Sequence, residues 1–178
     1  MKTVVVTEGE SDVLLLKALV GESGASADFV KAGGWSGADS LARSFLVDGH
    51  HDVALVVDAD AYDERRVEER QRFLTQSLAS VALRTRWQVF VVAPEIEVLL
   101  FKDRHVLETL LDQVVGESEF QAGRFEPRKV LKRLLPGQKW SRFFQERLPQ
   151  LDLTALQSQV EIERLRVFLK GTRKRVAA

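Results

Sequence analysis

A chain of 178 residues with 45% apolar and 29% charged side chains has the length and composition of one globular domain able to bury a sizeable core. It has no cysteine, which excludes disulfides and thiolate metal sites, and its 26 basic residues are matched by 26 acidic ones. No apolar run approaches the roughly 18 residues of a membrane span, and VLLLKALV is too short and follows acids, so no secretory leader and no membrane partner are expected and the cytoplasm is the default location.

The charge is unevenly spread. Residues 1–103 carry 11 Lys and Arg against 17 Asp and Glu, and residues 104–178 carry 15 against 9. An acidic half joined to a basic half suits a cation site beside a polyanion-binding surface; solvated helix faces that scatter charge give the same numbers.

In chain order, residues 3–7 form the first of three continuous β-branched runs, the others being 53–57 and 89–93. Runs without polar alternation predict strands covered on both faces, as in a parallel sheet. DFVKA, residues 28–32, is a weaker fourth. Residues 11–20 are apolar on nearly every side and stop at Gly21, a good helix terminator. Ser36-x-x-Asp39 reads as the capping-box start of a second helix that ends at Gly49, and a long charged helix follows from about 63 to 83.

This βαβαβαβ order predicts an α/β fold: a Rossmann-like, mainly parallel four-stranded sheet flanked by helices, with right-handed crossovers. Beyond 104 the pattern turns helical near 104–115, 126–135, 139–147 and 152–170, broken by Gly116, Pro127, Pro136-Gly137 and Pro149. The expected organisation is a catalytic domain over 1–103 and a helical extension over 104–178 packed on it, ending in the basic tail KGTRKRVAA.

Ligands of open parallel sheets bind beyond the carboxyl ends of the strands. Here the first strand runs into Glu8-Gly9, with Asp12 on the next helical turn. The third ends in Asp58-Ala59-Asp60 and the fourth in Ala93-Pro94-Glu95-Ile96-Glu97. Neighbouring strands lie about 4.8 Å apart, so these side chains can reach one small volume. Carboxylates that close repel one another and raise each other's pKa. A hard divalent cation resolves the conflict, and oxygen-only ligands favour Mg²⁺ or Mn²⁺. Each acid taken singly reads equally well as an N-cap or a partner of a helix dipole; three sites at one edge favour the metal.

VVVTEGESDVLLLKAL followed by VALVVDADAYD resembles the TOPRIM domain, shared by topoisomerases, bacterial-type primases, the maturase of 5S ribosomal RNA and OLD-family (overcoming lysogenization defect) nucleases. The resemblance covers roughly residues 2–101. It implies that Glu8 works in proton transfer or metal binding and that Asp58 and Asp60 are a metal-binding pair. PEIE is similar to the third acidic motif of OLD-like TOPRIM nucleases, which implies Glu97 as a further ligand with Glu95 as its substitute.

Primases usually continue Asp-x-Asp with a small-Gly pair, where this chain has Ala61-Tyr62-Asp63-Glu64, and topoisomerases are much larger, with a tyrosine nucleophile. OLD proteins usually fuse the domain to an ATPase, yet no Gly-x-x-x-x-Gly-Lys-Ser/Thr occurs here. The resemblance therefore implies a standalone module with a separate ATPase subunit as partner. It would cleave phosphodiester bonds of DNA, ahead of RNA, through Mg²⁺ or Mn²⁺ held by Glu8, Asp12, Asp58, Asp60 and Glu97. The alternative is a noncatalytic TOPRIM module that binds metal and nucleic acid within a larger complex.

AGGWSGADS could present backbone N–H groups to phosphate, but glycines more often serve a tight turn, here with Trp35 packing nearby. His50, His51 and His105 have no metal-ligand arrangement with one another and suit surface or capping roles. Arg124, Arg128, Lys129, Lys132 and Arg133 lie on or before one short helix, and Arg173, Lys174 and Arg175 cluster in the tail. From these, Lys132, Arg133 and the tail cations are the candidate phosphate contacts. A receiver-type reading lacks a fifth strand with its lysine, and a dinucleotide-binding reading lacks Gly-x-Gly-x-x-Gly after the first strand.

Overall fold

In the computed structural model, which describes residues 2–82 and 84–171, four parallel strands form one sheet in the order β2-β1-β3-β4. They are β1 Lys2–Thr7, β2 Ala27–Lys31, β3 His51–Asp58 and β4 Trp87–Val92. The continuous apolar runs reflect two separate cores. Val5, Ala54, Val56, Phe90 and Val92 enter one, while Val4, Val6, Val53, Leu55, Val57 and Val89 enter the other. Successive side chains leave a strand on opposite faces, so a strand covered on both sides needs an apolar residue at every position. Edge strand β2 is only partly buried, which explains its weaker signal.

Helix α1 (Glu10–Val20) joins the first core, and α2 (Trp35–Asp48) and α3 (Glu64–Ala79) cover the second. After β4 come a 3₁₀ stretch (Ile96–Lys102) and helices α4 (Arg104–Leu111), α5 (Glu117–Ala122), α6 (Pro127–Leu134), α7 (Trp140–Arg147), α8 (Thr154–Gln157) and α9 (Val160–Lys170). These stack on the α1 face: Phe144, Leu165 and Phe168 share one apolar cluster with Leu15, Leu16 and Phe90. Among the described residues no helix is long and apolar enough to cross a membrane.

Several boundaries differ from those expected. Helix α2 starts at Trp35 with Gly34 as its N-cap and no side-chain cap. The capping box expected from Ser36 does not form, because Asp39 is buried and accepts a hydrogen bond from Ser77 Oγ of α3 at 3.0 Å. Helix α3 stops at Ala79, where the Val81 and Ala82 amides fold back onto the Leu78 carbonyl. The 152–170 pattern is two helices, and α5 and the 3₁₀ stretch are additional to the expected elements.

From β1 the chain leaves towards β2, and from its neighbour β3 it leaves towards β4 on the opposite side. Their carboxyl ends therefore frame a topological switch point, where open α/β sheets leave a crevice. Glu8 and Asp58 stand at that place.

Candidate functional site

Glu8 is the first residue past β1. Its carbonyl accepts the amides of Gly33 (2.9 Å) and Gly34 (3.2 Å), which pins the β2–α2 loop against the site. Both glycines have positive φ, 79° and 106°, a region that favours glycine. The glycine-rich stretch is thus a tight turn whose first amides are already engaged. The Glu8 carboxylate accepts the Asp58 amide through Oε1 at 2.9 Å and ties the ends of β1 and β3 together. Burial raises the Glu8 pKa; the Asp58 amide offsets part of this, and Asp60 and Asp12 add to it as like charges.

Asp12 caps α1 from within: Oδ2 accepts the Gly9 amide at 2.8 Å and Oδ1 the Ser11 hydroxyl at 3.3 Å. It is buried and near enough to act as a like charge on Glu8, Asp58 and Glu97. Gly9 is extended, and a Cβ there would come no nearer than 3.4 Å to Asp12, so close backbone approach does not explain that glycine. Glu10 faces water and pairs with Lys31 at 3.0 Å.

Asp58, Glu95 and Glu97 converge on a single cation, Arg128. The Asp58 carboxylate accepts the Ile96 amide through Oδ1 at 2.8 Å and Arg128 Nη2 through Oδ2 at 2.8 Å. Glu97 accepts Nε and Nη2 of the same guanidinium, each at 3.1 Å. Glu95 accepts the Arg128 backbone amide at 3.1 Å and lies 3.4 Å from Nη1. Burial, with Glu97 and Asp12 as like charges, pushes Asp58 up to about 8 in spite of Arg128. Burial also raises Glu97, and Arg128 counters it. For Arg128 burial opposes the charge, yet Glu97 and Asp58 hold the guanidinium protonated well beyond its ordinary range.

Asp60 sits apart, on the rim. Its φ of 51° is left-handed, a conformation that is uncommon outside glycine and costs on the order of 1 kcal/mol. The backbone is held there by the Asp60 amide donating to the Pro94 carbonyl at 2.9 Å. The Asp60 carboxylate meets Arg70 Nη1 at 3.0 Å, and that nitrogen also donates to the Asp58 carbonyl at 3.1 Å. A cleft of about 700 Å³ opens between Asp60 and Glu95, with Tyr62, Arg66, Phe125 and Lys129 on its walls.

The acids named from the sequence thus gather at one sheet edge in two groups: Asp58, Glu95 and Glu97 around Arg128, and Glu8, Asp12 and Asp60 beside them. Among the described residues no three acidic or histidine side chains stand close enough to hold an ion as placed. Lys132 and Arg133 are exposed on α6 and make none of the contacts to these carboxylates. Arg173, Lys174 and Arg175 lie outside the described residues.

Arg128 and Arg70 carry roles that the sequence reasoning missed. For Arg128 a signal existed: it precedes buried Leu131 by three residues, which puts both on the inward face of α6. The donor set is oxygen-only, with Asp12, Asp58 and Glu97 buried, and holds more carboxylates than one guanidinium can pair, which is chemistry suited to a hard divalent cation.

No family model matches the chain, and no curated protein matches it by sequence. Among solved structures, the C-terminal region of the Burkholderia pseudomallei OLD protein matches it with a TM-score of 0.61 and 15% sequence identity, over 94% of this chain and 96% of that one. At that identity the likeness concerns the fold: the chain folds like the C-terminal region of an OLD protein.

Proposed function

We propose that the protein is a TOPRIM-type, metal-dependent nuclease that hydrolyses phosphodiester bonds of DNA, with RNA as the second choice. The observation that carries this reading is the convergence of Asp58, Glu95 and Glu97 on one guanidinium at the switch point, with Glu8 bonded to the Asp58 amide. The TOPRIM-like motifs and the OLD-like fold support it.

Glu8, Asp12, Asp58, Asp60 and Glu97 would hold Mg²⁺ or Mn²⁺, with Glu95 as the substitute for Glu97. Such an ion supplies Lewis-acid polarisation of a phosphate and a more acidic water. Arg128 occupies oxygens of Asp58 and Glu97 that such an ion would need, so the two cations would compete for them. Glu8 has one oxygen fixed on the Asp58 amide, while Oε2 has no partner among the described residues. With its pKa raised, that carboxylate is suited to hold and release a proton.

A second reading is a noncatalytic module that binds nucleic acid in a larger complex, for instance with a separate ATPase. It is favoured by one observation: all four oxygens of Asp58 and Glu97 already have protein partners, as in a structural ion-pair network.

Nicking of supercoiled plasmid with Mg²⁺ or Mn²⁺ separates the two, with Glu8→Gln as the control. The glutamine carbonyl can still accept the Asp58 amide, so the variant should keep its thermal midpoint and its nucleic-acid binding. Its cleavage rate should fall by about 10²–10⁴-fold, the range for a general acid–base group. A wild type that cleaves neither single- nor double-stranded DNA or RNA with either ion, alone or with an ATPase partner, establishes the binding-module reading instead.

A further inference from the structure

Four large aromatic side chains flank Asp60 in two exposed pairs. Tyr62, 72% exposed, meets Phe125, 57% exposed, edge to face with ring centroids 5.9 Å apart. On the other side Trp35, 38% exposed, meets Phe73, 54% exposed, at 6.1 Å, and the Arg70 guanidinium lies 5.2 Å from the Trp35 ring. The two pairs line separate clefts, of about 700 and 440 Å³, that share Asp60, Ala61 and Arg66. Arg66 is exposed, and its side chain makes no ion pair or ring contact among the described residues.

Most acids around these clefts have partners, while Glu69 on the wall of the smaller cleft makes no ion pair among the described residues. Asp60 pairs with Arg70, Glu95 with Arg128 and Glu126 with Lys129, and Asp63 caps α3 through the Arg66 amide. Arg66, the cation common to both clefts, stands between the two ring pairs with its side chain unpaired among the described residues. Ring, cation, ring is the order in which a polynucleotide offers base, phosphate, base. A base inside a duplex is already stacked on both faces, whereas an unpaired base has faces free for an aromatic side chain.

Resting on the nuclease reading above, we propose that its substrate is an unpaired polynucleotide strand. Its bases stack on Tyr62–Phe125 and Trp35–Phe73, and a phosphate between them lies on Arg66. The strand then passes Asp60 and reaches the acidic centre without a duplex having to open there. The selectivity of the site is for single strands, overhangs and frayed ends over blunt duplex.

Fluorescence anisotropy in EDTA tests this without cleavage, using labelled oligothymidylate, oligouridylate and a blunt duplex. The deoxyribose and ribose arms show which sugar is preferred. Wild type should bind at least one single strand more tightly than the duplex. Tyr62→Leu with Phe125→Leu, and separately Trp35→Leu with Phe73→Leu, should each weaken that binding by on the order of tenfold and leave duplex binding unchanged. Tyr62→Trp with Phe125→Trp should retain it, which separates loss of stacking from loss of fold. Arg66→Gln should reduce the salt slope by about one. Equal affinity of wild type for single strand and duplex, or wild-type single-strand affinity in both leucine variants, overturns the proposal. Because no metal is present, the result is independent of nicking: binding without nicking refutes only the nuclease, and nicking without ring-dependent binding refutes only the stacking.

Discussion

Arg128 gives three buried or half-buried carboxylates their positive charge, and its removal tests what the acids are for. Breaking a buried ion pair costs about 3–5 kcal/mol, and the Arg128 side chain is 37% exposed, so Arg128→Ala should cost about 2 kcal/mol in metal-free protein. Mn²⁺ should recover most of that loss, since Asp58, Glu95 and Glu97 would be left without their competing cation. Urea unfolding of both proteins with and without Mn²⁺ measures it; an equal Mn²⁺ effect in the two would separate the ion from Arg128. The pH dependence follows from Asp58. Its pKa is about 8 when folded and near 3.9 when unfolded, so between those values the folded state binds the extra proton. Its contribution is present at the acid end of that window and lost as pH rises through about 8. Metal-free stability should therefore decline across this range, and Asp58→Asn should flatten the decline. Some slope should remain, because Glu8 and Glu97 are raised in the same direction. An unchanged slope in Asp58→Asn would contradict the assignment.

At the scale of elements, strands were more legible than helix ends. β1, β3 and β4 are covered on both faces, and that burial wrote itself as unbroken apolar runs. IEVLLFK, the 3₁₀ stretch, is as apolar as a strand and as short, so periodicity could not resolve it. The acids were legible because they directly follow strands. Arg128 was not singled out, because its partners lie 31 and 70 residues away in sequence and α6 carries several cations that look alike. Start of α2 depends on a packing constraint invisible in a capping pattern: a Cβ at Gly37 would stand 2.5 Å from the Ala32 carbonyl oxygen. Gly37→Ala should therefore push α2 away from the loop that holds Glu8, at a cost of about 1–3 kcal/mol. Thermal unfolding checks this, and a variant as stable as wild type would show that the loop yields freely.

For the whole molecule, the charge asymmetry has a structural counterpart. The acidic half supplies the sheet edge, and the basic half crosses to it through α6, so the switch point has one wall from each. The helices after residue 104 fill the same core as α1 and β4, which fixes α6 against the site. The central claim is that this shared edge is a divalent-metal site. Its most direct test is thermal unfolding with and without Mn²⁺, for wild type and for Asp58→Asn combined with Asp60→Asn. Binding to the folded state alone adds about 2.7 kcal/mol at a hundredfold excess over Kd. The account predicts a clear rise in wild type and none in the double variant; a full rise in the double variant, or none in wild type, would contradict it.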